Sequence, residues 1–149
     1  MIYLEDLVVG ATFKTGFVDV SEQDITTFAQ QFDPQPFHLD RERARETIFG
    51  QLVASGWHTT ALTMRLIVEG ELKLAGGILG FKVDTIEWPR PVRPGDRLRA
   101  VSEIETLRPS QSRPDRGVIR VRHITLNQNN EIVQVLVTNQ LVLRKMETA

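Results

Sequence analysis

The sequence predicts an α+β fold in which one long apolar helix packs against a strongly curved antiparallel sheet. Two observations carry this. Apolar residues recur with helical spacing over residues 57–68, and from 78 to 143 the chain reads as consecutive strands punctuated by turn residues. A helix followed by a run of strands is the order of an α+β layout, not of alternating βαβ units. At 149 residues the chain has room for one domain with a real core, and it is read as a single unit over 1–149.

Residues 4–10 carry turn chemistry, and 13–20 alternate loosely as a first strand. Ser21 is placed to cap a helix, with Asp24 where a capping box prefers Glu. Ile25, Phe28, Ala29 and Phe32 then follow the i, i+3, i+4, i+7 spacing of a short amphipathic helix. Pro34 and Pro36 end it, because the residue before a proline is steered out of helical geometry. Asp33 and Gln35 are therefore expected to be extended, with His38 on the same proline-bracketed loop. Asp40 can cap a second short helix over 41–46, and residues 49–53 lead into Ala54-Ser55-Gly56, where the long helix starts. On that helix Trp57, Ala61, Met64 and Val68 form one apolar stripe, flanked by Leu62, Leu66 and Ile67. Apolar residues on more than one side imply a helix largely wrapped by other structure.

Gly76-Gly77 turns the chain into a strand over 78–88, with Phe81 and Val83 opposite Lys82 and Asp84. Pro89, Pro91 and Pro94-Gly95-Asp96 break it into a bend and a turn. Over 97–107, Leu98, Ala100, Ser102 and Ile104 alternate with Arg97, Arg99, Glu103 and Glu105. Residues 108–117 form a polar loop, 118–126 a strand, 127–130 a hairpin turn and 132–143 a long final strand.

The remaining composition mostly excludes. With 41% hydrophobic and 25% charged residues and a formal net charge of −1, nothing pushes the chain toward nucleic acid or an anionic membrane. No apolar run approaches the roughly 18 residues of a membrane span, and the first sixteen residues do not read as a signal peptide. Cysteine is absent, so there is no disulfide, thiolate metal site or cysteine nucleophile; this fits a reducing cytoplasm.

The chemistry concentrates between Gln31 and Thr60. A carboxylate (Asp33), an imidazole (His38) and a helix N-terminus at Ser55-Gly56 are the parts needed to move protons beside a polarised carbonyl. Two prolines restrict the loop that carries the first two, which partly fixes their side chains before a ligand arrives. Ser55 does not sit in a G-x-S-x-G elbow and reads as a cap or a pocket hydroxyl. Trp57 reads as core or as a pocket wall. His58 reads as a first-turn helical residue, and His123, on a strand with alternating Arg120 and Arg122, as a surface or sheet-face residue. The spacing of the three histidines suggests no metal site. Arg108, Arg113, Arg116, Arg120 and Arg122 read as a solvated loop and sheet face.

The segments FDPQPFHLD and FGQLVASGWHT, with the later turn PVRPGD, resemble the MaoC-like dehydratase family, which includes the (R)-specific enoyl-CoA hydratases. Asp33, Pro36, His38 and Asp40 match its first motif, and Phe49, Gly50, Val53, Ala54 and Gly56 its second. Pro91, Val92, Pro94, Gly95 and Asp96 match the third. Gln35 stands where Asn is commoner, and Phe37 replaces a smaller aliphatic residue. The resemblance implies a hot-dog fold, a central helix wrapped by a curved antiparallel sheet, assembled as a homodimer or a dimer of dimers. It implies Asp33 and His38 as the catalytic pair for adding water to a trans-2-enoyl thioester, or removing it. The Gly56 backbone N–H would take the thioester oxygen, and Gln35, Ser55 and Trp57 would contact substrate. No metal or redox cofactor is implied; coenzyme A enters as part of the substrate.

Two other functions fit the same fold. Thioesterases of this type place a carboxylate on the central helix, whereas residues 57–68 contain none. A non-catalytic acyl-thioester-binding or dimerising module would have no evident use for a base beside its pocket.

Overall fold

The computed structural model describes residues 1–147; Thr148 and Ala149, the end of the expected domain, lie outside them. After a 3-10 turn at Leu4–Asp6, the chain forms β1 (Thr12–Lys14), β2 (Val18–Asp19), α1 (Glu22–Phe32), α2 (Pro36–Leu39), α3 (Arg41–Arg45) and α4 (Gly56–Glu69). Four long strands follow: β3 (Leu79–Glu87), β4 (Arg97–Pro109), β5 (Arg116–Leu126) and β6 (Ile132–Leu143). The sheet is antiparallel, with the order β1-β4-β5-β6-β3 and β2 paired to β4 off that path. Register shifts within β3–β6, β4–β5 and β5–β6 mark bulges, the device by which a sheet bends. This α+β arrangement, a long helix against a curved antiparallel sheet, is the hot-dog fold. Among the described residues no helix is long and apolar enough to cross a membrane.

Local chemistry explains most boundaries. The Ser21 hydroxyl accepts from the Asp24 N–H at 3.1 Å and starts α1. The Asp40 carboxylate accepts from the N–H groups of Glu42 and Arg43 and starts α3. Gly95, at φ +88°, supplies the left-handed residue of the turn before β4, and the Asp96 carboxylate accepts from the Arg93 N–H.

Several expectations are corrected. The strand over 13–20 is two short pieces interrupted around Gly16. Phe32, assigned to the buried face of α1, is exposed. His38 sits not on a loop but on α2, a single turn that Pro36 opens at its first position, where a missing N–H costs nothing. The polar loop over 108–117 is shorter, since β4 continues to Pro109 and β5 resumes at Arg116.

The largest correction concerns α4. The stripe of Trp57, Ala61, Met64 and Val68 faces outward, and the buried face is His58, Thr59, Thr63, Leu66 and Ile67. Thr63 is tolerated there because the sheet satisfies its hydroxyl. Thr63 Oγ1 lies 2.7 Å from Thr125 Oγ1, and Gln134 Nε2 donates to Thr63 Oγ1 at 3.1 Å. His123 is likewise a core residue, 1% exposed, with Nδ1 2.7 Å from Ser102 Oγ. Burial pushes its imidazole down to about 4.

Two apolar clusters flank this polar layer. One joins Ile67, Leu72 and Leu74 to Ile104, Ile119, Val121 and Val142 of the sheet. The other packs Ile25, Ala44, Leu52, Ala54 and Val92 against Leu66, Leu98 and Val133. The second cluster matters for function, because it anchors the segments on either side of Asp33 and His38.

Candidate active site

Asp33 ends α1, with its N–H bonded to the Ala29 carbonyl, and Pro34 prevents the helix from continuing. Two residues later Pro36 starts α2, which turns His38 back toward the N-terminus of α4. Here His38 Nε2 lies 3.2 Å from Asp33 Oδ2. His38 is 5% exposed, and its Nδ1 is 2.7 Å from the Val53 carbonyl oxygen. A carbonyl can only accept, so Nδ1 carries the proton and donates it. Nε2 is then the ring nitrogen that faces Asp33.

Both oxygens of the Asp33 carboxylate accept a side-chain hydrogen bond. Gln35 Nε2 donates to Oδ1 at 2.6 Å, and Ser55 Oγ donates to Oδ2 at 2.7 Å. Burial pushes the carboxyl up, but the Ser55 hydroxyl, the Gln35 amide and the His38 ring outweigh it and hold it below its ordinary value of 3.8. Asp33 is therefore ionised at neutral pH. Ser55 also accepts from the Trp57 N–H at 3.2 Å as the N-cap of α4, so one fully buried hydroxyl ties the carboxylate to the helix start.

Gly56 is the first residue of α4. Its N–H belongs to the first turn, which has no intrahelical acceptor and carries the positive end of the helix dipole. Gly56 and His38 both line a cleft of about 420 Å³ whose walls are mainly apolar, including Phe37, Phe49, Val53, Trp88 and Val92. An imidazole and the first residue of a helix on one apolar cleft suit a ligand with a carbonyl next to a hydrocarbon chain.

Of the expected site residues, the structure brings Asp33, His38, Gln35 and Ser55 into one hydrogen-bonded group, with Gly56 beside it. Gln35 and Ser55 bond to Asp33, and none of these three is among the residues lining the cleft, which His38 reaches for them. Trp57 is 57% exposed and also outside the lining; its ring meets Trp88 edge to face at 5.3 Å. Trp88 is among the cleft-lining residues that sequence reasoning did not assign to the site. It stands just past the end of β3 and before Pro89, a position that read only as a strand terminus. His58 is buried, with its ring stacked on Phe28 at 4.8 Å, and burial pushes its pKa down. Among the described residues no three His, Asp or Glu side chains come together as a metal site.

Residues 7–127 match the model of the MaoC-like domain family. The chain is similar to a MaoC-like dehydratase from Rhodospirillum rubrum of known structure, with 46% identity and a TM-score of 0.94 over 98% of this chain and 99% of that one. It is 34% identical over 108 residues to 3-hydroxyacyl-thioester dehydratase Z of Mycobacterium tuberculosis, covering 66% of this chain and 69% of that protein. It is 31% identical over 114 residues to the 3-hydroxybutyryl-CoA dehydratase of Methylorubrum extorquens, covering 76% of this chain and 70% of that protein.

Proposed function

This chain belongs to the MaoC-like domain family, and from that premise we propose that it is a hydro-lyase interconverting a trans-2-enoyl thioester and a 3-hydroxyacyl thioester, with coenzyme A as the carrier. One observation carries this reading: His38, which lines the cleft together with Gly56, lies 3.2 Å from the carboxylate of Asp33. In the hydration direction, Asp33 and His38 hold one water over the substrate. Asp33 takes a proton from it as its oxygen bonds to C3, and the pair returns a proton to C2. One water adds and nothing is oxidised. Charge develops on the thioester oxygen as an enolate forms, and the Gly56 N–H at the positive end of α4 stabilises it. Well-placed acid–base groups of this kind contribute about 10²- to 10⁴-fold in rate.

The thioesterase reading is weaker because α4 presents no carboxylate before Glu69, its last residue. Mixing the protein with a short trans-2-enoyl-CoA separates the two. Hydration removes the enoyl absorbance without releasing thiol, whereas free thiol would establish a thioesterase and contradict this reading.

The functional unit in this reading is a homodimer. Support comes from the apolar surface that the protomer leaves uncovered. Trp57, Met64 and Val68 on α4, together with Leu79, Phe81 and Val83 on β3, are all at least 41% exposed. β3 is also an edge strand, with one row of backbone groups unpaired. Exposed apolar residues grouped along a helix face and an edge strand are the kind of surface that marks interaction sites.

A further inference from the structure

Trp88 is held on two sides. Its indole Nε1 donates to Gln134 Oε1 at 2.9 Å. Gln134 is fully buried on β6; its Oε1 also accepts from Thr60 Oγ1 at 2.7 Å, and its Nε2 donates to Thr63 Oγ1. An indole N–H can only donate, so the amide has one workable orientation and Gln134 is locked between β3's end and α4. The other side of the ring is packed against Gly56, where an added Cβ would stand 2.6–2.9 Å from three indole carbons. Trp57 backs it edge to face. Although Trp88 is 41% exposed, its indole cannot turn away without breaking a part-buried hydrogen bond, and it lines a cleft near the small end of ligand pockets, which run from about 300 to 1,000 Å³.

We propose that Trp88, pinned by the positioning residue Gln134, is the wall that sets acyl-chain length and confines the cleft to short chains. This rests on reading the cleft as an acyl-thioester site. The ring stands against the residue whose N–H takes the thioester oxygen, and the carbons that follow the carbonyl run along it. A smaller side chain at position 88 lengthens the acyl channel. Each methylene newly buried adds about 0.8 kcal/mol of binding, which is roughly fourfold in kcat/KM.

The test measures kcat/KM for trans-2-enoyl-CoA substrates of four, six, eight and ten carbons. Wild type is compared with Trp88→Leu, the more conservative Trp88→Phe, and Gln134→Met, with thermal melts to show that each is folded. The expected wild-type profile falls off with length, and Trp88→Leu moves the optimum at least two carbons longer. Gln134→Met keeps the indole but frees it. It should move the profile the same way to a smaller extent, through KM more than kcat, which a plain loss of stability would not do. Should Trp88→Leu not fold, Trp88→Phe carries the same test with a smaller shift. A profile that keeps its shape in the folded Trp88 variants, or one scaled equally at all lengths, overturns the inference and leaves the hydratase reading standing. A wild type that hydrates none of the four overturns both.

Discussion

Gly56→Ala is a substitution whose cost can be worked out from the packing of the cleft. The new Cβ would lie 2.6, 2.8 and 2.9 Å from Cε2, Cδ2 and Cζ2 of Trp88. Carbon atoms prefer a separation of about 3.5–4.0 Å, so the ring must withdraw by about 1 Å. It is not free to do so, because its Nε1 is bonded to the buried Gln134. Overpacking of this kind costs about 1–3 kcal/mol, and weakening the indole bond adds roughly 1 more. Alanine's helical preference over glycine returns at most about 1. The net expectation is a loss of about 1–3 kcal/mol, and most of it should vanish when Trp88 is already Leu. Denaturant midpoints of the wild type, the two single variants and the double variant give that coupling directly. The backbone N–H survives the substitution, so any loss of turnover in Gly56→Ala reports the displaced ring and not a missing donor. If Gly56→Ala costs the same with and without Trp88, the packing argument is wrong.

The same structure makes three further predictions. His123 titrates near 6.5 when unfolded and at about 4 when folded, so between these values the unfolded chain binds the extra proton. Stability should fall as pH drops from 6.5 toward 4, by about 3 kcal/mol from this residue. His58 shifts in the same direction, and calorimetry should show a shallower slope in His123→Gln. Ser55→Ala removes the hydroxyl that donates to Asp33, so the carboxyl pKa rises and the acid limb of the kcat/KM profile moves to higher pH; an unmoved limb would mean that Ser55 does not tune the base. Phe81→Lys places a charge on the exposed edge strand β3 and should shift sedimentation toward the monomer, whereas an unchanged assembly would put the interface elsewhere.

Much of this was legible in the chain. β6 runs from Ile132 to Leu143 as its composition predicted, and the caps at Ser21, Asp40 and Ser55 sit where side-chain oxygens next to helical patterns placed them. The facing of α4 was not legible. Its apolar stripe and its Thr- and His-rich stripe have the same period, and only the hydroxyls and amide of Thr125 and Gln134 on distant strands make the polar one the buried one. For His123 the signal was present: odd-numbered residues of β5 point inward, so it lies on the face opposite Arg120 and Arg122. In the candidate site, the motif residues stood out as candidates because prolines and a glycine constrain their backbone. Trp88 did not, because its role depends on a contact with Gly56, 32 positions away in the sequence.

The measurement closest to the centre of the account is the loss of enoyl absorbance when a short trans-2-enoyl-CoA meets wild type and Asp33→Asn side by side. The amide keeps the size of the carboxylate but cannot accept the water's proton. The account predicts hydration by wild type and a rate lower by about 10²-fold or more in Asp33→Asn. Equal rates in the two proteins would contradict the assignment of Asp33 as the base.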